Sequence, residues 1–142
     1  MKVCADKGLV IAVLTRNEHC PPHVHVGTDK WEARFKFSFW HNGISLWDVV
    51  PEQNQPTVAV LESLRLALKQ PTNLRRARGI WWSSQQTICL VNQLWDIDAN
   101  EVVSAKDRRS SIRVIETARF DAQAYKTVLQ LAGQSSLLEI EL

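Results

Sequence analysis

The chain has no apolar run long enough to span a bilayer: its longest, Leu9 to Leu14, falls far short of the roughly 20 residues a membrane helix needs. It also lacks the charged-then-apolar opening of a secretion leader, so a cytoplasmic location without membrane attachment is expected. Cysteine is sparse. Cys4, Cys20 and Cys89 form an odd, widely spaced set with no Cys-x-x-Cys pair, which offers neither a disulfide framework nor a paired zinc-ligand pattern, and reduced thiols are expected. Net charge is low at +2, which argues against a whole surface built for polyanions.

The charge that is present is unevenly placed. Residues 1–84 carry 11 Lys and Arg against 7 Asp and Glu, and residues 85–142 carry 6 against 8, so the first part is net +4 and the second net −2. The basic excess concentrates in Arg65, Lys69, Arg75, Arg76 and Arg78, a cluster that suits either phosphate contact or a solvated helix face. Six tryptophans are many for 142 residues. Each couples a large apolar body to one N–H, and most belong in a core edge or pocket wall. The adjacent Trp81 and Trp82 cannot both face the interior of one regular element, so one of them is expected on a groove or an interface.

Apolar content of 45% is enough for a sizeable core in one compact domain or two halves sharing it. Leu9 to Leu14 is apolar at every position and reads as an interior strand, and His23 to Val26 resumes as a strand after Pro21-Pro22. Gly27 to Lys30 supplies a turn. Trp31 to Phe39 alternates apolar and polar with a period of two, and Ile44 to Val50 follows His41-Asn42-Gly43 as its hairpin partner. A three-residue hairpin loop would set Asp48 opposite Lys36 and Trp47 opposite Phe37. Pro56 suits a first helical position ahead of the stripe Val58, Leu61, Leu64 and Leu68, and a second helix is expected from about Thr72 to Trp82. Thr87 to Trp95 reads as a strand around Thr87, Ile88 and Val91, or as an extension of that helix. Ser111 to Phe120 is a strand, Asp121 can cap a helix carrying Tyr125, Val128, Leu129 and Ala132, and Leu138 to Leu142 closes as a strand, which permits a parallel crossover. The fold class expected is therefore α+β. An N-terminal antiparallel sheet packed by one or two helices occupies residues 1–84, and a smaller β-rich extension containing one helix occupies 85–142 and shares its core.

One segment concentrates chemistry. Asn17-Glu18-His19-Cys20-Pro21-Pro22-His23-Val24-His25 holds three of the four histidines, a carboxylate and a stiff double proline. On a strand, His23 and His25 share one face while Val24 and Val26 take the other. At Asn-Glu-His-x-Pro-Pro-His-x-His the sequence resembles a family of short bacterial proteins of unknown function recognised by that signature, over about residues 7–84. The resemblance implies a strand, the signature loop, three more strands and one or two helices, and a mobile or toxin–antitoxin-like genetic setting. It implies no established activity. Val24 stands where the family usually has an aromatic residue.

Three readings of the loop stay open. His23 and His25, joined by His19 or Glu18, can ligate zinc or another divalent ion. Glu18 or His19 can act as a general base without metal. Or the polar groups satisfy backbone atoms of a tight bend. Cys20 is expected to be a passive apolar residue. Asp96-x-Asp98-x-Asn100 mimics a calcium loop, but Glu101 stands where glycine is required, so an Asp-rich turn explains it better. The function expected is a binding module engaging a protein or RNA partner through Arg75, Arg76, Arg78, Trp81 and Trp82, with a homodimer as a further option. The rival is a metal-dependent, zinc-type hydrolytic enzyme built on His19, His23 and His25.

Overall fold

A computed structural model describes every residue except Ala105. The chain divides into two compact units, Met1–Gln86 and Thr87–Leu142. No helix among the described residues is long and apolar enough to cross a membrane.

The first unit is a five-stranded antiparallel sheet with two helices. Strands β1 (Lys2–Asp6) and β2 (Leu9–Ala12) form a hairpin, closed by Lys7 and Gly8 at φ of 48° and 84°. Two positive φ values in succession match the twist of the flanking strands. The signature loop then leads into β3 (His23–Gly27), which pairs with β4 (Glu32–Lys36), and β4 pairs with β5 (Ser45–Val50). Strand order follows chain order. Between β3 and β4 the Thr28 N–H donates to the Trp31 carbonyl at 2.9 Å. That turn brings the Trp31 carbonyl to 2.2 Å from where a Cβ on Gly27 would lie, so only glycine fits there.

Alternation divides the sheet into two chemically distinct faces. Val24, Val26, Ala33 and Phe35 are buried, as expected for the face that carries the core. Helix α1 (Val58–Lys69) contributes Leu61, Leu64 and Leu68 to that core, and α2 (Pro71–Gln85) contributes Leu74, Ala77, Ile80 and Trp81. α1 packs against β1, β5 and α2. Its N-cap is Thr57, whose hydroxyl accepts from the Val60 N–H, and Pro56 therefore precedes the cap instead of opening the helix. Pro71 starts α2 at a position where its missing N–H costs nothing.

The β4–β5 pairing departs from the expected three-residue hairpin. Arg34 faces Asp48, Phe35 faces Leu46 and Lys36 faces Ser45, so residues 37–44 all lie outside the ladder and Trp47 is the extra residue of a bulge. Phe37, Phe39 and Ile44 are buried, and their burial favours a long tucked connection over a tight turn. Arg78 fixes it. This arginine is 0% exposed and donates to the carbonyls of Ser38 and His41 and to the Asn42 side-chain oxygen, at 2.9, 2.8 and 2.9 Å.

The second unit is a five-stranded antiparallel sheet of β6 (Leu94–Asp96), β7 (Glu101–Val103), β8 (Ile112–Asp121), β9 (Lys126–Leu131) and β10 (Leu138–Glu141), in the order β10-β9-β8-β6-β7. The helix expected after Asp121 is absent. The Asp121 carboxylate instead accepts from the N–H groups of Gln123 and Ala124, Tyr125 takes φ of 53°, and the chain turns straight back into β9. Thr127, Val128, Leu129 and Leu131 are buried, and a short apolar run buried at consecutive positions is a central strand whose composition mimics a helix. Because β8, β9 and β10 pair antiparallel in succession, there is no parallel crossover. Residues 87–93 are not strand either. α2 ends at Gln86 in the left-handed region, and Cys89 and Asn92 take φ of 64° and 70°, which interrupts extended backbone. Asp98 to Asn100 forms the expected turn, with the Asp96 carboxylate accepting from the Asp98 and Ala99 N–H groups. Cys89 is in disulfide form, so the reduced state expected of the cysteines does not hold for it.

Candidate metal centre

The polar face of the first sheet gathers the chemistry. β3 presents His23 and His25, whose ring centroids lie 5.0 Å apart. In register beside them on β4 are Lys36 and Arg34, with Glu32 opposite Gly27. The Pro21-Pro22 bend returns Glu18 over this face. Its carboxylate, 8% exposed, lies 2.6 Å from His23 Nε2 through one oxygen and 3.1 Å from His25 Nε2 through the other. Donor atoms of Glu18, His23 and His25 all lie within 4.8 Å of one another.

Each imidazole is held from behind. His23 Nδ1 lies 2.7 Å from the Pro21 carbonyl; a carbonyl only accepts, so Nδ1 carries the proton and Nε2 is left with a bare lone pair. His25 Nδ1 lies 2.6 Å from the Glu32 carboxylate. A carbonyl or carboxylate behind one ring nitrogen, with the other nitrogen aimed at a shared centre, is how metal-ligating histidines are oriented. Burial is the main influence on His23 and pushes its pKa below the ordinary histidine value, opposed by the Pro21 hydrogen bond and the Glu18 carboxylate and reinforced by His25 and Arg34. A neutral ring is thus favoured.

A polar mismatch results. His23 Nε2 meets Glu18 at ion-pair distance, yet it is a buried nitrogen without a hydrogen-bond partner. In the neutral ring that burial favours, this nitrogen offers a lone pair to the carboxylate; only a protonated ring would make the contact a salt bridge. Two donors bound at about 2.0 to 2.1 Å to one tetrahedral ion stand roughly 3.3 Å apart. The His25 contact, at 3.1 Å, is close to that value, and the His23 contact, at 2.6 Å, must open by about 0.7 Å.

A second layer surrounds the three donors. The bulge at Trp47 turns its ring onto this face, where it meets His23 edge-on at a centroid distance of 5.0 Å. The Arg34 guanidinium lies over the same ring at 4.0 Å. Arg34 also grips the Asp48 carboxylate with two N–H groups, which holds the Asp48 pKa below the usual carboxylate range. Bulges commonly re-aim a side chain in this way.

The candidate ligands therefore change in one member. His19, exposed on the loop, has its ring 6.0 Å from His23 and 6.2 Å from Trp47 and is not one of the three converging donors; Glu18 takes its place. Cys20 is in disulfide form and so offers no thiolate, while Cys4 is free. On α2, Arg78 and Trp81 are both fully buried, which makes them core anchors instead of surface binding residues. Arg75 and Arg76 are exposed and Trp82 half-buried. Sequence reasoning missed Glu32, Arg34, Trp47 and Asp48 as site residues. The β3–β4 alternation carried a signal for Glu32 and Arg34, but Trp47 depends on a bulge that no pattern announces. No protein-family description, curated protein or solved structure matches this chain.

Proposed function

We propose that Glu18, His23 and His25 hold one divalent transition-metal ion of the zinc type, and that the Met1–Gln86 unit is a metal-binding module. The observation that carries this is the pair of Nε2 atoms converging on one carboxylate, one of them buried without a hydrogen-bond partner. A cation placed among these atoms converts a lone-pair clash into three bonds. Two imidazoles and one carboxylate suit zinc or its first-row neighbours better than calcium or magnesium, which prefer all-oxygen shells. His23 and His25 would bind through Nε2, with Pro21 and Glu32 keeping their Nδ1 protons in place. Three protein donors leave a position for water, and a bound zinc-type ion supplies Lewis acidity there, so hydrolysis is the reaction class that fits this donor set.

The test is elemental analysis of untagged protein dialysed against zinc, beside a His23→Ala, His25→Ala double variant. The expected result is one equivalent retained by the wild type and none by the variant. Equal, weak retention by both removes the proposal.

A further inference from the structure

Beside the metal face, the connection 37–44 shapes a cavity of about 360 Å³, within the range of small-molecule sites. Its floor is apolar. Phe37 and Ile44, both buried, and the ring of Pro21 line it. Its polar groups are few and, in the charged sense, of one sign, for no residue of the lining is acidic. Lys36 is half-buried on its wall and, among the described residues, has neither an ion pair nor a hydrogen bond from its ammonium.

His41 adds a fixed donor. Its Nδ1 accepts the Gly43 N–H at 2.9 Å, which leaves the proton of a neutral ring on Nε2. Burial and the nearby Arg78 cation both lower the His41 pKa, so the ring is a neutral donor in a region of positive potential. Arg78 lies behind this loop and holds the carbonyls of Ser38 and His41. The Ser38 hydroxyl further pins the bend by accepting from the His41 N–H and donating to the His41 carbonyl. The donor geometry is thus built into the loop before any ligand arrives. Such preorganisation lowers the cost of binding.

We infer that this cavity binds a small organic anion, its apolar body against Phe37, Ile44 and Pro21 and its charged head on the Lys36 ammonium and the His41 Nε2–H. Carboxylate and phosphate heads share this chemistry. The inference does not depend on the metal reading, because none of Glu18, His23 and His25 lines the cavity.

The experiment is an NMR titration of the whole chain in the presence of a chelator, so that no anion binds through a metal, with benzoate, phenyl phosphate and the neutral benzyl alcohol as probes. Binding by either anion is expected to move the Gly43 amide and His41 ring signals, about tenfold more tightly than benzyl alcohol, as one hydrogen-bonded charge pair implies. Response to only one of the two anions identifies the head group. Lys36→Met, which keeps the apolar stem, should erase the preference for anions and leave benzyl alcohol unchanged. Failure of both anions to shift these signals overturns the inference, as does benzyl alcohol binding as tightly as they do in the wild type, a comparison that needs no variant. Retained preference in Lys36→Met would overturn it as well.

Discussion

Replacing Glu18 by glutamine should stabilise the metal-free protein and destabilise the zinc-loaded one relative to wild type. In the absence of metal, a neutral His23 ring brings Nε2 to 2.6 Å from a carboxylate oxygen with no proton to share. A glutamine amide N–H in that place can donate to the bare nitrogen, and its amide oxygen can keep the contact with His25 that now spans 3.1 Å. One added intramolecular hydrogen bond is worth about 1 kcal/mol net. With zinc at a hundredfold excess over its dissociation constant, the wild type gains about 2.7 kcal/mol by mass action. A neutral amide is a poor zinc donor, so the variant forgoes most of that gain. The order of stabilities therefore reverses between the two conditions, with a swing of roughly 2 to 3 kcal/mol. Urea titration followed by tryptophan fluorescence, with chelator and then with zinc, reads both values, since five of the six tryptophans lie in the first unit. If Glu18→Gln lowers stability in chelator, His23 holds a proton and the pair is a salt bridge. If the variant keeps the zinc increment, Glu18 is not a ligand.

Two further predictions use other groups. The depressed pKa of His23 means that the unfolded chain, titrating near pH 6.5, takes up a proton before the folded one; stability of the metal-free protein is then fully present above about pH 6.5 and falls as pH drops toward the folded value. Urea midpoints measured across this window should show the loss, and His23→Gln should flatten it; an unchanged slope refutes the assignment. Arg78→Met removes hydrogen bonds to Ser38, His41 and Asn42, each worth about 1.5 to 3 kcal/mol when the donor is charged. Water can reach the partly exposed loop, so a net loss of about 3 kcal/mol is expected, together with displaced His41 ring signals. Arg78→Lys should recover little, because an ammonium lacks the fork geometry. A loss below about 1 kcal/mol would mean that Arg78 is not the anchor of this loop.

Local pattern carried much of the first unit. The stripe Val58, Leu61, Leu64 and Leu68 marked α1, and period-two alternation marked β4 and the shared face of His23 and His25, because these signals depend only on neighbours in sequence. Where two structures share one composition, pattern misled. Val128 and Leu129 fit a helical stripe and a buried strand equally well, and pairing with β8 and β10 chose the strand. Hydrophobic burial of Phe37, Phe39 and Ile44 likewise overrode the turn chemistry of Asn42-Gly43.

That a rigid Pro-Pro bend stands next to two histidines on one strand face was legible from the chain alone, since fixed torsions and strand alternation are local properties. Which carboxylate meets them was settled by the packing of distant segments. Glu18 reaches both rings, and Glu32 stands behind His25, because the loop folds back over the sheet and the β3–β4 register aligns the two strands. Arg34 joined the site through that same register, and Trp47 through a bulge. Those placements arise from the cooperative packing of distant segments, in which side chains far apart along the chain find one another only after the core has fixed the backbone.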